Sequence, residues 1–475
     1  MERISRRFGN VRALREASLT VRAGTVHALL GENGAGKTTL MRVAFGLLAA
    51  DAGVVRVRGA VSAIDSPAAA FRAGIGMVHQ HFALVPAMTV AENVALGGRG
   101  RFDPRDATRR VQEVAERAGL ALDANALVSS LSIGAQQRCE IVKALARDIE
   151  LLILDEPTAV LAPAEAAELL RWMRGFADAG SAVVLITHKL RDALAVADDV
   201  TVLRRGETVL VAAARATTQD TLRDAMVGET TRVGVPSPTD RHASVAPAGP
   251  VVLSARAVHF ANEMGTVLVH DASLDVRSGE IVGIAAVEGA GQHELLRLLA
   301  GRLEPLAGRV QRPARLGFVP EDRQRDALML DETLAENVAL RGAAARRGIM
   351  SWRTVRESTA ALLAAHDVRA SGPRAVARTL SGGNQQKLIL GRELADAPDA
   401  LVVENPTRGL DFQATAAVAA ALRAARNAGA AIVLYSSDLD EVLELADRVF
   451  VMFSGRLVET ALDRDAVGRA MLGSA

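Results

Sequence analysis

Short, unbroken apolar runs separated by segments of helical period set the pattern of this chain. Thr25-Val26-His27-Ala28-Leu29-Leu30, Leu151-Leu152-Ile153-Leu154 and Val183-Val184-Leu185-Ile186 each read as a strand buried on both faces. Ala17-Ser18-Leu19-Thr20-Val21 alternates instead, and residues 1–30 read as β-rich. Further strand signals lie in Gly53-Val54-Val55-Arg56-Val57 and Gly76-Met77-Val78-His79-Gln80. Residues 106–118 carry helical spacing, and another helix opens near Leu131 and runs to about Ala146. Strands alternating with helices predict a parallel sheet covered on both faces.

The pattern then repeats. Thr89-Val90-Ala91-Glu92-Asn93-Val94-Ala95-Leu96 recurs as Thr333-Leu334-Ala335-Glu336-Asn337-Val338-Ala339-Leu340. Leu131-Ser132-Ile133-Gly134 recurs as Leu380-Ser381-Gly382-Gly383, Pro157-Thr158 as Pro406-Thr407 and Gly206 as Gly455, all at one spacing. Blocks in the same order at nearly one separation mean two copies of one domain. Between them, Pro236, Pro238, Pro247 and Pro250 fall in a Ser-, Ala- and Gly-rich stretch that sustains neither a helix nor a central strand. The chain therefore divides into residues 1–232, a linker at 233–250, and residues 251–475.

Composition narrows the picture only a little. The 475 residues exceed one ordinary core, and 49% hydrophobic with 23% charged residues suits a globular protein. A net charge of +1 gives no support to nucleic-acid binding through bulk electrostatics. One cysteine, Cys139, excludes an internal disulfide framework or a Cys-rich zinc site and fits a reducing cytoplasm. The start shows no signal-peptide pattern. No uncharged apolar run approaches the ~20 residues that span a bilayer. Any service to a membrane is expected to run through partner subunits.

Chemistry enters at Gly31-Glu32-Asn33-Gly34-Ala35-Gly36-Lys37-Thr38, between an apolar strand and the helix opened by Thr39-Leu40-Met41. The spacing G-x-x-x-x-G-K-[ST] in that context is a phosphate loop. Its glycines let successive N–H groups turn toward phosphate oxygens, and the helix N-terminus adds partial positive charge. Lys37 is expected to reach the β- and γ-phosphates, and Thr38 to offer its hydroxyl to Mg²⁺. Asp155, at the end of a buried strand, is placed to hold the metal or its waters. Glu156 is placed as the general base for an attacking water.

Taken together with Gln80, Leu131–Gln137 and His188 in that order, these motifs resemble an ATP-binding cassette ATPase. The closer likeness is to the fused two-cassette subunit of bacterial importers for sugars and nucleosides, and it covers nearly the whole chain. The resemblance implies an α/β fold of two tandem P-loop cassettes, each with a RecA-like core, a β-rich edge and a helical subdomain. It implies ATP held by Gly31, Glu32, Asn33, Gly34, Ala35, Gly36, Lys37, Thr38 and Thr39, with Phe8 stacked on adenine. Mg²⁺ falls to Thr38, Gln80 and Asp155, while Glu156, His188, Lys37 and Gln80 act on the γ-phosphate. Leu380-Ser381-Gly382-Gly383-Asn384-Gln385 resembles the family signature, which serves the opposite cassette. Ser381, Gly382, Gly383 and Gln385 would thus close over ATP bound at Lys37. The implied partners are two transmembrane permease subunits and, indirectly, an extracytoplasmic solute-binding protein, with no nucleic acid. The implied location is the cytoplasmic face of the inner membrane. Met77-Val78-His79-Gln80-His81-Phe82 followed by Leu84-Val85-Pro86 resembles the nucleoside branch more than the ribose branch, and a permease helix would dock near Gln80 and Phe82.

The second copy departs where chemistry happens. Its loop reads Ala286-Val287-Glu288-Gly289-Ala290-Gly291-Gln292-His293, so Lys and Thr are lost. Glu404-Asn405 replaces Asp155-Glu156, Ser437 replaces His188 and Glu321 replaces Gln80. In the first copy's signature Ile133 stands where Gly382 stands in the second, and Asp411 of the second copy has Ala162 as its counterpart. One hydrolytic and one degenerate site are expected. Phe260 has residues 251–259 ahead of it and Phe8 only residues 1–7, so the first strand is expected to be short or the true start to lie upstream. A tandem cassette acting on ribosomes would keep both sites and carry a long charged linker. A DNA-repair ATPase would need coiled-coil insertions or zinc cysteines. A purely regulatory ATP-binding module would not need Glu156 and His188. Cys139 is expected to be a small packed side chain.

Overall fold

The computed structural model describes residues 1–9, 11–80, 82–98, 102–159, 161, 163–227, 249–343, 346–410, 412–471 and 473. It falls into two compact units, Met1–Val233 and Gly234–Ala475. Most of the 233–250 linker, together with His81, Ala162 and Asp411, lies outside the described residues. Gly249 and Pro250 belong to the edge of the second unit, where Gly249 N–H donates to Ser278 O (3.2 Å) and Pro250 O accepts from Ser278 N–H (2.9 Å).

In the first unit a six-stranded sheet runs in the order Glu207–Ala213, Asp199–Arg204, Val26–Leu30, Ala182–Ile186, Leu151–Asp155, Ile75–Val78. Its strands are parallel except the antiparallel edge pair Asp199–Arg204 and Glu207–Ala213. Val26–Leu30 and Ala182–Ile186 are buried at every position, as their continuous apolar sequence requires. A three-stranded antiparallel sheet of Val11–Ala17, Glu2–Phe8 and Ala52–Val54 forms the β-rich edge. Helices Val90–Ala95, Pro104–Ala118 and Ile133–Leu145 pack together around Val111, Val114, Cys139 and Ile141 as the helical part. Cys139 is fully buried there, and burial pushes its thiol up to about 12, which keeps it unreactive.

The second unit repeats this topology strand for strand, in the order Leu316–Val319, Ala400–Glu404, Ala431–Tyr435, Ile281–Ala286, Arg448–Phe453, Arg456–Thr460. The repeated T-x-A-E-N-V-A-L block proves to be scaffold. Thr89 and Thr333 each close a capping box with Glu92 and Glu336. Asn93, fully buried, accepts from Val85 N–H (2.7 Å) and donates to Val85 O (3.1 Å) and Thr89 O (3.0 Å). Asn337 makes the same set with Met329 and Thr333. The buried amide thereby fixes the loop that follows Gln80.

Strand register corrects one alignment. Ile4 pairs with Ala17 and Val258 with Ala272, and the left-handed residues just before them are Arg3 (φ 49°) and Ala257 (φ 45°). Phe260 therefore matches Arg6, and Phe8 matches Asn262. The first-copy strand is Glu2–Phe8, 7 residues, against 11 for Val251–Ala261.

Candidate active site in the first unit

The central strand Val26–Leu30 ends at Gly31, and the helix Lys37–Ala44 begins six residues later. Gly36 caps that helix at φ 103°, and a Cβ there would lie 2.8 Å from Ala13 O, so only glycine closes the loop. Lys37 is 6% exposed and bends back so that Nζ donates to Gly31 O (2.6 Å) and Glu32 O (3.0 Å). Burial lowers its pKa, opposed by the charges of Glu156, Asp155 and Glu32. A cavity of about 250 Å³ opens beside it, lined by Ala13, Asn33, Gly34, Gly36, Lys37, Thr38, Thr39, Gln80 and Glu156.

The acids arrive from the neighbouring strand. Asp155 ends Leu151–Asp155 and accepts from Thr38 Oγ1 at 3.0 Å. Burial raises its pKa, and the Thr38 hydrogen bond holds it back. A hydroxyl and a carboxylate meeting in a buried corner are the oxygen donors that Mg²⁺ takes. Glu156 turns into the left-handed region (φ 51°), held by its N–H to Ile186 O at 2.9 Å. That turn aims its carboxylate into the cavity, at a backbone cost of about 1–3 kcal/mol. Gln80 Nε2 donates to Glu156 Oε2 (3.0 Å), and His188 Nδ1 lies 3.0 Å from Oε1. Burial pulls the Glu156 pKa up, but His188, Lys37 and Lys189 outweigh it and hold the carboxyl below its ordinary value. The structure thus unites Lys37, Thr38, Gln80, Asp155, Glu156 and His188. Phe8 does not line this cavity; it is 44% exposed at its strand end, with the Arg6 guanidinium 5.2 Å over its ring.

In the second unit the same frame carries different side chains, beside a cavity of about 630 Å³ whose lining includes His293, Arg297, Glu321, Glu404 and Arg408. Gln292, fully buried at the lysine position, donates to Tyr435 Oη at 3.3 Å. Tyr435 stands where the first unit has Ile186, and its hydroxyl donates to Glu288 Oε2 at 3.4 Å. His293 Nε2 lies 3.0 Å from Glu288 Oε1. The hydrogen bond from His293 holds the Glu288 carboxyl below its ordinary value. Burial lowers the His293 pKa, but Glu288 outweighs it and raises that pKa, so the two form an ion pair in the loop. Asn405 repeats the left-handed turn (φ 42°) and donates to Glu321 Oε2 at 2.9 Å. Asn tolerates that conformation better than Glu does, so the second copy sheds strain where it has shed the base. Glu404 is 1% exposed, its Oε1 has no hydrogen-bond partner among the described residues, and burial raises its pKa to about 7.

The two signature helices differ in a way the sequence reading missed. Ser132 caps the helix Ile133–Leu145 by accepting from Ala135 N–H (3.3 Å). A Cβ on Gly134 would overlap the Glu165 carboxylate, so a negative group covers that helix start. In the second unit Ala414 occupies the position of Glu165. A Cβ on Gly383 would meet only Ala414 Cβ at 3.6 Å, and one on Gly382 only Arg323 Nη2 at 3.6 Å and Cζ at 4.0 Å. Ser381 Oγ accepts from Asn384 Nδ2 (2.9 Å) and does not cap its helix. Gln385 is buried in the same helix. The sequence signal was the Glu165/Ala414 pair in equivalent registers, which only packing connects to the signature.

A sequence profile described as ABC transporter matches residues 14–159 and again 269–408. The chain is 41% identical to the nucleoside import ATP-binding protein NupA of Lactococcus lactis subsp. cremoris over 96% of this chain and 93% of that protein. It is 40% identical to the glucose import ATP-binding protein TsgD13 of Haloferax volcanii, over 100% of this chain and 95% of that protein. It is 39% identical to the guanosine import ATP-binding protein NupO of Bacillus subtilis, over 100% and 97%. Among solved structures, the archaeal ribosome recycling factor aABCE1 superposes with a TM-score of 0.67 at 19% identity, over 99% of this chain and 92% of that one, which shows the fold alone. Both halves match one family profile, and full-length relatives share about two-fifths of their residues with the chain. It belongs to the ABC transporter family, as a protein with two ATP-binding cassettes.

Proposed function

We propose that the chain is the ATP-hydrolysing subunit of an importer, with turnover confined to the first cassette and nucleosides as the transported class. The observation that carries the first part is one cavity lined by Lys37, Thr38, Gln80 and Glu156, with Asp155 bonded to Thr38 and His188 to Glu156 behind it, against the replacement of these groups in the second unit. Names of full-length relatives support the second part, since NupA is a nucleoside import and NupO a guanosine import ATP-binding protein, and TsgD13 keeps glucose as the runner-up. Among the described residues no helix is long and apolar enough to cross a membrane. The names of the import relatives support permease partners, two in number on this reading, that carry the solute, with an extracytoplasmic binding protein delivering it and this chain at the cytoplasmic face.

ATP enters with its triphosphate along the loop Gly31–Lys37. Lys37 exchanges the carbonyls of Gly31 and Glu32 for phosphate oxygens, and Thr38, Asp155 and Gln80 would hold Mg²⁺. That ion supplies charge neutralisation on the phosphates. Glu156 accepts a proton from water as the water oxygen bonds the γ-phosphorus. The bond from that phosphorus to the β,γ-bridging oxygen breaks, and its electrons leave with ADP. His188 orients Glu156 and faces the γ-phosphate, and Gln80 reports its presence to the permease.

On this reading Ser381, Gly382 and Gly383, the signature of the second cassette, serve a nucleotide held outside their own unit. Two observations support that role. The glycines have room for a Cβ within their own unit, so their smallness serves an external group, and the Ser381 hydroxyl is not spent on its cap. Uptake of labelled guanosine, adenosine, ribose and glucose by cells expressing the chain with its permeases tests the reading. Nucleoside uptake that is lost in Lys37→Ala is expected; sugar-only uptake, or uptake untouched by Lys37→Ala, overturns it.

A further inference from the structure

Away from either phosphate loop, two histidines and an aspartate meet on the β-rich edge of the second unit. His259 lies on Val251–Ala261, and His270 and Asp271 lie on the paired strand Val267–Arg277. One ligand atom from each falls within 4.8 Å of the others. The imidazoles meet edge to face at 5.4 Å between centroids. His270 Nδ1 is buried, makes no hydrogen bond among the described residues, and lies 3.4 Å from Asp271 Oδ2. Neighbouring ligands of a tetrahedral zinc stand about 3.3 Å apart, given bonds of about 2.0 Å.

The backbone holds these donors in place before any ligand arrives. His270 N–H donates to Gly455 O (2.7 Å), and His259 O accepts from Leu306 N–H (2.9 Å). The left-handed turn at Asp271 (φ 51°), beside a register shift between Val258 and Phe260, brings successive side chains to one side. The first unit keeps this turn, at Glu16 (φ 54°), but carries Ser5 and Arg15 where the second has His259 and His270. The shared fold therefore does not need the histidines.

We propose that His259, His270 and Asp271 form a binding site for a late first-row divalent cation of the Zn²⁺ class. Two imidazole nitrogens and one carboxylate oxygen suit Zn²⁺, Ni²⁺ or Co²⁺ and not Mg²⁺ or Ca²⁺. Three protein ligands leave the fourth position to water. The metal clips together two strands, one of which presses Leu268 O against Gly291 of the second phosphate loop. It thus stiffens the part of the second cassette that has given up hydrolysis.

The test uses the full chain without a histidine tag, stripped with a chelator and titrated with Zn²⁺ by calorimetry and with Co²⁺ by visible absorption. One site per chain and a visible Co²⁺ d–d band are expected. Replacing both histidines by the first-copy residues, His259→Ser with His270→Arg, is expected to erase the band and weaken Zn²⁺ at least about 100-fold, with Asp271→Asn costing about tenfold. The double variant keeps residues the fold already uses, so its thermal melt without metal and its ATPase rate stay at the parent values. Equal Zn²⁺ affinity in parent and double variant, or a Co²⁺ band that survives the change, overturns the site.

Discussion

Glu156→Gln isolates proton transfer from position. The side chain keeps its volume and its left-handed turn, and Oε1 still meets His188. On the other side the new amide faces Gln80 Nε2, 3.0 Å away in the parent, and a flip of the Gln80 amide restores donor to acceptor. What is lost is the base together with its negative charge. General-base removal costs ~10²–10⁴ in rate, about 3–5 kcal/mol of barrier at about 1.4 kcal/mol per tenfold. The base acts only in the transition state, so kcat falls while KM stays within about threefold. The assay is phosphate release at saturating MgATP by the full chain, with nucleotide binding measured in parallel. Turnover within about threefold of the parent would refute the assignment of Glu156, and an equal loss of nucleotide binding would refute the claim that it acts only on the proton.

Two further outcomes follow from the same geometry. Ala414→Glu places over the Ser381 helix the carboxylate that Glu165 places over the first, and is expected to cut ATPase at least about tenfold through charge near phosphate, while Glu165→Ala leaves the rate within about twofold; similar rates for both variants in an ATPase assay would contradict the trans role of Ser381. Glu404 is raised to about 7 by burial from an ordinary value of 4.5, so the folded state binds the extra proton between those pH values. Its contribution to stability is full below that interval, falls as pH rises through it and is gone above about 7, a change of up to about 3 kcal/mol. Buried Glu441 titrates over the same range, so Glu404→Gln flattens only part of the slope. Thermal melts should show the variant gaining on the parent by several degrees from pH 5 to pH 8, and a constant gap would contradict a buried carboxyl whose only hydrogen bond among the described residues comes from Glu321 N–H.

Much of this was legible before any coordinates. The strand Val26–Leu30, the loop Gly31–Lys37 and the acid pair Asp155-Glu156 announced themselves because a buried parallel strand must be apolar throughout and a phosphate loop must be glycine-rich. The repeat was equally plain, but its most visible block was scaffold: Thr89, Glu92 and Asn93 satisfy backbone groups, as do Thr333, Glu336 and Asn337. What stayed hidden depends on register and packing. Phe260 looked like the partner of Phe8 until strand pairing matched it to Arg6. Glu165 gave no sign of covering Gly134, because 31 positions of sequence separate residues that one helix–helix contact joins. Glu288 was in view, yet only its contacts with Tyr435 and His293 show that the second loop holds an ion pair of the protein's own.

The division of labour between the two cassettes is tested most directly by counting and locating bound nucleotide in the Glu156→Gln protein. Equilibrium binding of ATP followed by photo-crosslinking through the adenine, with the labelled peptides sequenced, gives both answers at once. One ATP per chain, with label on peptides from Met1–Val233, is the predicted result. Two ATP per chain, or adenine label confined to peptides from Gly234–Ala475, would contradict it.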